Sequence, residues 1–229
     1  MIREIVFDTE TTGFNPKDGH KLVEIGAVEL INHLPTGRTY HQYVNPQRDV
    51  PEDSFKVHGL TYEFLKGYPC FKDVVDEFLA FIGEDACLVA HNAMFDMGFI
   101  NAELENVGKQ LIESSRFIDT LDIAKKLFPG ARNNLDALCR RFNIDNSDRT
   151  KHGALIDSEL LAKVYLELLG GEEPSMDFSA QSVLKEKASI SSEAKVFRPS
   201  RHFEVSAEEL AEHETFLSEK LKDAVWIAE

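Results

Sequence analysis

Apolar residues in the first 45 positions fall in short β-branched runs rather than at helical spacing, and they predict three strands, over 2–8, 21–31 and 37–44. Gly13-Phe14-Asn15-Pro16-Lys17-Asp18-Gly19 separates the first two as a loop, and Leu34-Pro35-Thr36-Gly37 turns the chain into the third. Such short connections predict an antiparallel meander. Residues 51–83 read as short helices, with Val57-His58-Gly59-Leu60 in a loop between them. Ala86-Cys87-Leu88-Val89-Ala90 predicts a fully buried fourth strand, from which His91-Asn92 lead into a helix over 93–107. A short strand near 116–118 follows, then helices near 120–127, 134–142 and 154–169. The last carries a core-facing stripe of Leu160, Leu161, Val164, Tyr165, Leu168 and Leu169. Strands first and helix–strand alternation afterwards give an α/β domain with a mixed central sheet flanked by helices.

Beyond Leu169 the pattern dissolves. Gly170-Gly171 ends the helix, and 179–195 is rich in Ser, Ala, Lys and Glu with little periodicity, so 172–195 reads as a flexible linker. Helical spacing returns in 196–229, where Ser206-Ala207-Glu208-Glu209 is a capping-box pattern and Leu210, His213, Phe216, Leu217 and Leu221 share one face. The domain boundaries are therefore 1–171, 172–195 and 196–229.

Composition narrows the classes. The 229 residues are 43% hydrophobic, enough for a substantial core with an appendage. The 25 basic and 40 acidic residues leave a net charge of −15, which argues against a basic surface gripping duplex nucleic acid. Any nucleic-acid contact must then run through bound metals, local groups or a partner that holds the strand. Cys70, Cys87 and Cys139 are widely spaced and fit buried thiols in a reducing cytosol. No signal-peptide pattern or long apolar run occurs, so neither export nor a membrane span is expected.

The candidate chemistry begins at Asp8 and Glu10. In a strand, residues i and i+2 project from one face, so these carboxylates converge at the strand end. Ionised acids that close repel unless a cation lies between them, and a hard divalent ion such as Mg2+ takes oxygen ligands. Solvated turn residues are the alternative reading. Asp96, in the first turn of its helix, suits the helix macrodipole as well as a metal, and Asp157 is likewise an ordinary acid near a helix start. His152 precedes Asp157 by five residues, about 140° apart on a helix, so it belongs in the preceding loop with Gly153 giving it freedom.

Taken together, FDTETTG, HNAMFD and HGALIDS, in that order, resemble the three motifs of the DEDDh family of 3′-to-5′ exonucleases, built on a ribonuclease H-like fold. The segments HKLVEIGAVEL, VHGLTYEF and IDTLDIAKKLFPGARNNLDALCRRFNIDNSDR are similar to the proofreading epsilon subunits of bacterial DNA polymerase III within that family. The resemblance implies two divalent ions, Mg2+ or Mn2+, held by Asp8, Glu10, Asp96 and Asp157. In it Asp8 bridges both ions, Glu10 and Asp157 complete the nucleophile side, and Asp96 holds the second ion through water. His152 is then the general base, a task suited to a group titrating near neutrality. Thr11, Val57, His58, Asn92 and Phe95 are implied to surround the terminal nucleotide with Asp8, Glu10 and Asp157, although Phe95 reads equally as a core residue. His91 is a helix cap or a support for the ligands, and Asp119 such a support.

The resemblance also implies partners and a place: a bacterial cytoplasmic protein acting at the 3′ end of single-stranded or frayed DNA in a replication assembly. The C-terminal tail, with Trp226, would dock on the polymerase alpha subunit. Residues 173–178 are similar to a sliding-clamp peptide, with Glu173 at the position usually held by glutamine. A small accessory subunit on the exonuclease domain is a further implied partner. Two other functions fit parts of this pattern: a general DEDDh RNA exonuclease, and a mainly structural tether between polymerase and clamp.

Overall fold

The computed structural model describes residues 2–147, 151–171 and 206–220. Its centre is a five-stranded sheet in the order β3-β2-β1-β4-β5. The strands are β1 (Arg3–Thr11), β2 (Leu22–Ile31), β3 (Leu34–Tyr43), β4 (Cys87–Ala90) and β5 (Phe117–Asp119). β1 pairs antiparallel with β2 and parallel with β4, so the sheet is mixed as expected. The helices are α1 (Glu52–His58), α2 (Tyr62–Leu65), α3 (Phe71–Ile82), α4 (Ala93–Asn106), α5 (Thr120–Leu127), α6 (Leu135–Arg141), α7 (Ala154–Leu168) and α8 (Ala207–Lys220).

The two-residue period of β1 sorts its side chains between two cores. Ile5 and Phe7 join Phe78 and Ile82 of α3 and Phe99, Ile100 and Leu104 of α4 on one face. Val6 joins Val28, Leu30, Val89 and, from α7, Leu161 and Tyr165 on the other. Each large side chain so buried contributes roughly 1.5–3 kcal/mol. α7 is buried on two sides, because Leu160, Val164 and Leu168 pack on Ala124 of α5 and Leu138 of α6. The single stripe expected from sequence is therefore split in two, and Leu169 lies past the helix end with 46% of its surface exposed.

Two local expectations are corrected. Leu34-Pro35-Thr36-Gly37 is not the hairpin turn: Asn32 (φ 49°) and His33 (φ 69°) turn the chain, and β3 begins at Leu34 opposite Ile31. Paired left-handed residues match the strand twist of a two-residue hairpin, and asparagine tolerates that conformation well. The Pro-Thr-Gly string is absorbed as an irregularity, since Leu30 faces Pro35 while Val28 faces Thr39. Likewise Val57 and His58 are helical, at the end of α1. Glu52 and Asp53 stand in its first turn, Lys56 and His58 in its last, and left-handed Gly59 closes it by donating its amide to the Phe55 carbonyl at 2.8 Å.

The residues divide into two units, Met1–Met176 and Asp177–Glu229. In the second, α8 opens with the capping box expected: the Glu209 amide donates to Ser206 Oγ at 3.2 Å and the Ser206 amide to Glu209 Oε2 at 3.0 Å. The linker over 172–195, the clamp-like segment 173–178 and Trp226 lie outside the described residues. No described helix is long and apolar enough to cross a membrane.

Candidate active site

The site forms where β1 ends. Asp8 and Glu10 alternate with Thr9, so the two acids project towards α7 and Thr9 towards α4. Glu10 occupies the last regular rung of the β1–β2 ladder, whose register shifts between Glu10 and Thr11. Opposite it is Glu24, buried and contacted by His41 Nε2 at 2.7 Å.

Asp157 reaches this strand because Gly26 allows it. Gly26 faces Asp8 in the ladder, and a Cβ there would fall 2.2 Å from the carbonyl carbon of Ala154, the first residue of α7. Ser158 Oγ fastens the approach by donating to the Gly26 carbonyl at 2.9 Å. The first turn of α7 is thus pressed onto the strand pair, with Asp157 only 2% exposed. Glu10, Asp157 and His152 each bring a ligand atom within 4.8 Å of the others. His152 is in the loop before α7, as expected, half-exposed, with Nδ1 at 3.3 Å from Asp157 Oδ2.

Asp96 is 3% exposed in the first turn of α4, and its Oδ1 accepts from the Thr9 amide at 3.1 Å and the Thr9 hydroxyl at 2.7 Å. Burial pushes its carboxyl up to about 7, against the pull of those two hydrogen bonds, and nearby Asp119 adds to the rise. Asp119 caps two helices at once: its carboxylate accepts from the amides of Asn92 (3.0 Å) and Ala93 (3.1 Å) at α4 and of Leu121 (2.8 Å) at α5. His91 Nδ1 shares a hydrogen bond with Thr120 Oγ1 at 2.9 Å, and Thr120 Oγ1 also lies 3.2 Å from the Ala90 carbonyl, tying β4 to α5. Asp96 is held beside Thr9, and neither it nor Asp8 belongs to the Glu10–Asp157–His152 group.

Five of the implied nucleotide contacts, Glu10, Thr11, Val57, His58 and Phe95, line one cavity of about 190 Å³. Pockets for whole drug-sized ligands run to about 300–1,000 Å³, so this one suits a single base or sugar. Asn92 is not in its wall; it is exposed at the head of α4 in the left-handed conformation (φ 68°). Phe95 serves both readings, since it borders the cavity and stacks on Phe99 at 5.1 Å within the core. His58 is buried, and its Nδ1 accepts from the Leu60 amide at 3.0 Å, which places the ring proton on Nε2. Nε2 makes no well-formed hydrogen bond among the described residues, the Thr11 backbone being the acceptor beside it. Burial holds this imidazole below its ordinary pKa, with Thr11 and Glu24 pulling the other way.

The sequence reading missed Gly26, Ser158, Thr9, Glu24 and Phe14. Gly26 interrupts an apolar strand, the usual mark of a close backbone approach. Phe14 borders the cavity with 85% of its surface exposed, and an aromatic ring inside a Gly-Asn-Pro loop was the available signal.

The pattern that defines the exonuclease family matches residues 5–165. A DNA polymerase III subunit epsilon from Rickettsia felis is 46% identical over 227 residues, spanning 97% of this chain and 99% of that one. Its counterpart from Escherichia coli is 43% identical, spanning 95% and 93%. Among solved structures, exonuclease X in complex with 5′ overhanging duplex DNA is 25% identical with a TM-score of 0.57, covering 74% of this chain and 91% of that one. The nuclease domain of 3′hExo, a DEDDh family member bound to rAMP, shares the fold at 19% identity and a TM-score of 0.63, covering 73% and 91%.

Proposed function

The chain belongs to the exonuclease family and, within it, to the DNA polymerase III epsilon subunits, and from that premise we propose the following division of labour among its residues. It is a 3′-to-5′ exonuclease of the proofreading type on a ribonuclease H-like fold. The observation that carries the site is the meeting of Glu10, Asp157 and His152 within 4.8 Å, with Glu10 also in the cavity wall.

Two buried carboxylates this close repel one another unless a cation shares them, and carboxylate oxygens are the donors a hard divalent ion takes. The family depends on divalent metal. Asp8, Glu10, Asp96 and Asp157 would hold two ions, Mg2+ or Mn2+. When bound, the ions supply an acidified water and offset charge on the leaving oxygen of the phosphodiester. The remaining work falls to the chain. Asp157 orients His152 through Nδ1, leaving Nε2 to take the proton of the attacking water. His58 lines the nucleotide seat, while Val57, Phe95 and Phe14 give base or sugar an apolar surface. Such contacts leave the sequence unread, as removal of any mispaired 3′ nucleotide requires.

The chain works as a subunit of a bacterial polymerase assembly in the cytoplasm, on the single-stranded or frayed 3′ end of DNA. We assign polymerase alpha-subunit docking to 196–229 and clamp contact to 173–178, with 1–171 as the nuclease domain, which leaves room for a small accessory subunit.

The test is release of nucleotides from a 3′-labelled mismatched primer in Mg2+ and in EDTA, for wild type beside His152→Ala. Metal-dependent release of 5′-mononucleotides, slowed 10²- to 10⁴-fold by the histidine change, is the expected result. A folded protein with no metal-dependent release would move the tether reading to the front, and faster release from RNA than from DNA the ribonuclease reading.

A further inference from the structure

His152 stands in a segment that the end of α1 holds in three ways. Its amide donates to the Val57 carbonyl at 3.3 Å. The neighbouring Lys151 places Nζ 4.8 Å from the centre of the Phe55 ring. The aliphatic stem of Lys151 crosses Gly59 so closely that a Cβ there would meet Cδ at 2.6 Å. Neither Phe55 nor Lys151 lines the nucleotide cavity. Yet α1 is the helix whose Val57 and His58 wall the cavity, so one short helix carries both the nucleotide seat and the support of the base.

We propose that Lys151 and Phe55 form a latch holding His152 over the reacting phosphate, and that α1 thereby makes proton removal depend on correct seating of the terminal nucleotide. The proposal rests on His152 being the general base. Both latch residues are positioning residues: they act on the fraction of molecules in which His152 is in place. An exposed cation–π contact of this kind shifts such a population about two- to five-fold. The loss should appear in the chemical step and not in binding, because nothing that grips the substrate is removed.

The experiment is single-turnover release from a 3′-mismatched primer by the full chain in Mg2+. Phe55→Ala and Lys151→Met should each slow release two- to five-fold with apparent substrate affinity within two-fold, and Phe55→Tyr and Lys151→Arg should restore it. The Phe55→Ala/Lys151→Met double variant should be no slower than the slower single, as befits two changes in one interaction. Made on a His152→Ala background, neither change should slow release further. Wild-type rates for both single variants would overturn the latch, as would additive losses or losses that persist without His152. An effect of Lys151→Met on affinity alone, steep in salt, would show instead that Lys151 attracts phosphate. Should His152→Ala itself release nucleotide at the wild-type rate, the general-base reading falls first. A slow His152→Ala beside wild-type latch variants removes the latch alone.

Discussion

At the far end of the β1–β2 ladder, Glu29 is buried among cations: Arg3 Nε lies at 2.7 Å, Arg38 Nη1 at 2.9 Å and the Thr36 hydroxyl at 2.9 Å. Burial would raise its carboxyl, but Arg3, Thr36 and Arg38 together hold it below the usual range. At the other end, Glu10 and Asp157 face one another with a half-exposed imidazole, and Asp96 is pushed up to about 7. Both ends bury acids on or against the same two strands. One end is answered by two guanidinium groups, whereas at the other Asp157 meets an imidazole and Asp96 the amide and hydroxyl of Thr9, and on the proposed reading divalent ions add the positive charge. Burial of a carboxylate is therefore not by itself a functional sign; the identity of what answers it is.

Four changes would break or sharpen that contrast. Asp8→Ala should lower nucleotide release by about 10³-fold or more with the melting temperature nearly kept, since on the proposed reading it removes a metal ligand; release within ten-fold of wild type would place the ions elsewhere. Gly26→Ala should follow, at roughly 10²-fold, because a misplacement of about 1 Å costs that much and α7 must lift from its 2.2 Å approach. Weaker Mg2+ dependence alongside normal DNA binding would mark it as displacement of Asp157, and unchanged Mg2+ titration would refute that.

Glu29→Gln is the mirror experiment. It should leave nucleotide release untouched while unfolding becomes easier by about 1–3 kcal/mol, Arg3 and Arg38 having lost the negative charge that paired them. A loss of activity at constant stability would erase the distinction between the ends. Asp96→Asn should change folding less than Glu29→Gln does, and with the opposite sign. A carboxyl raised to about 7 binds a proton in the native state that the unfolded chain has already released, so metal-free stability falls as pH rises from about 4 through 7. In EDTA at pH 8 the asparagine variant should therefore melt higher than wild type, by on the order of 1 kcal/mol. At pH 4 the two should coincide, and Mg2+ at pH 8 should close the gap by stabilising the wild type. A variant less stable than wild type at pH 8 would mean that the Thr9 hydrogen bonds outweigh burial.

Much of this was readable along the chain. β1 announced itself by Ile5-Val6-Phe7, and Asp8 and Glu10 fell on one face because strand periodicity is rigid. Asp96, His152 and Asp157 were placed correctly on helix starts and a loop, since acids and glycine mark those positions. What escaped depended on contacts made across the fold. α1 is seven residues long and too short to show a stripe, so Val57 and His58 read as loop. The hairpin turned on Asn32-His33 although Leu-Pro-Thr-Gly carried the louder local signal. Gly26 and Ser158 are 132 positions apart, and nothing local to either one reveals that they meet. The exposure of Phe14 is likewise a property of the assembled surface.

The three hydrogen bonds accepted by Asp119 bear on how the molecule can change over generations. Because one carboxylate fixes the heads of α4 and α5 together, the frame that matters is the short set of residues 91–93 and 119–121. The connection over 107–116 that joins those frames is anchored as well, Ile112 exchanging two hydrogen bonds with Asn101 of α4 and Arg116 reaching the carbonyls of Gly83 and Ala86. A single residue added or lost at 91–93 or 119–121 would unseat both helices at once. Length variation among relatives should accordingly be purged beside Asp119.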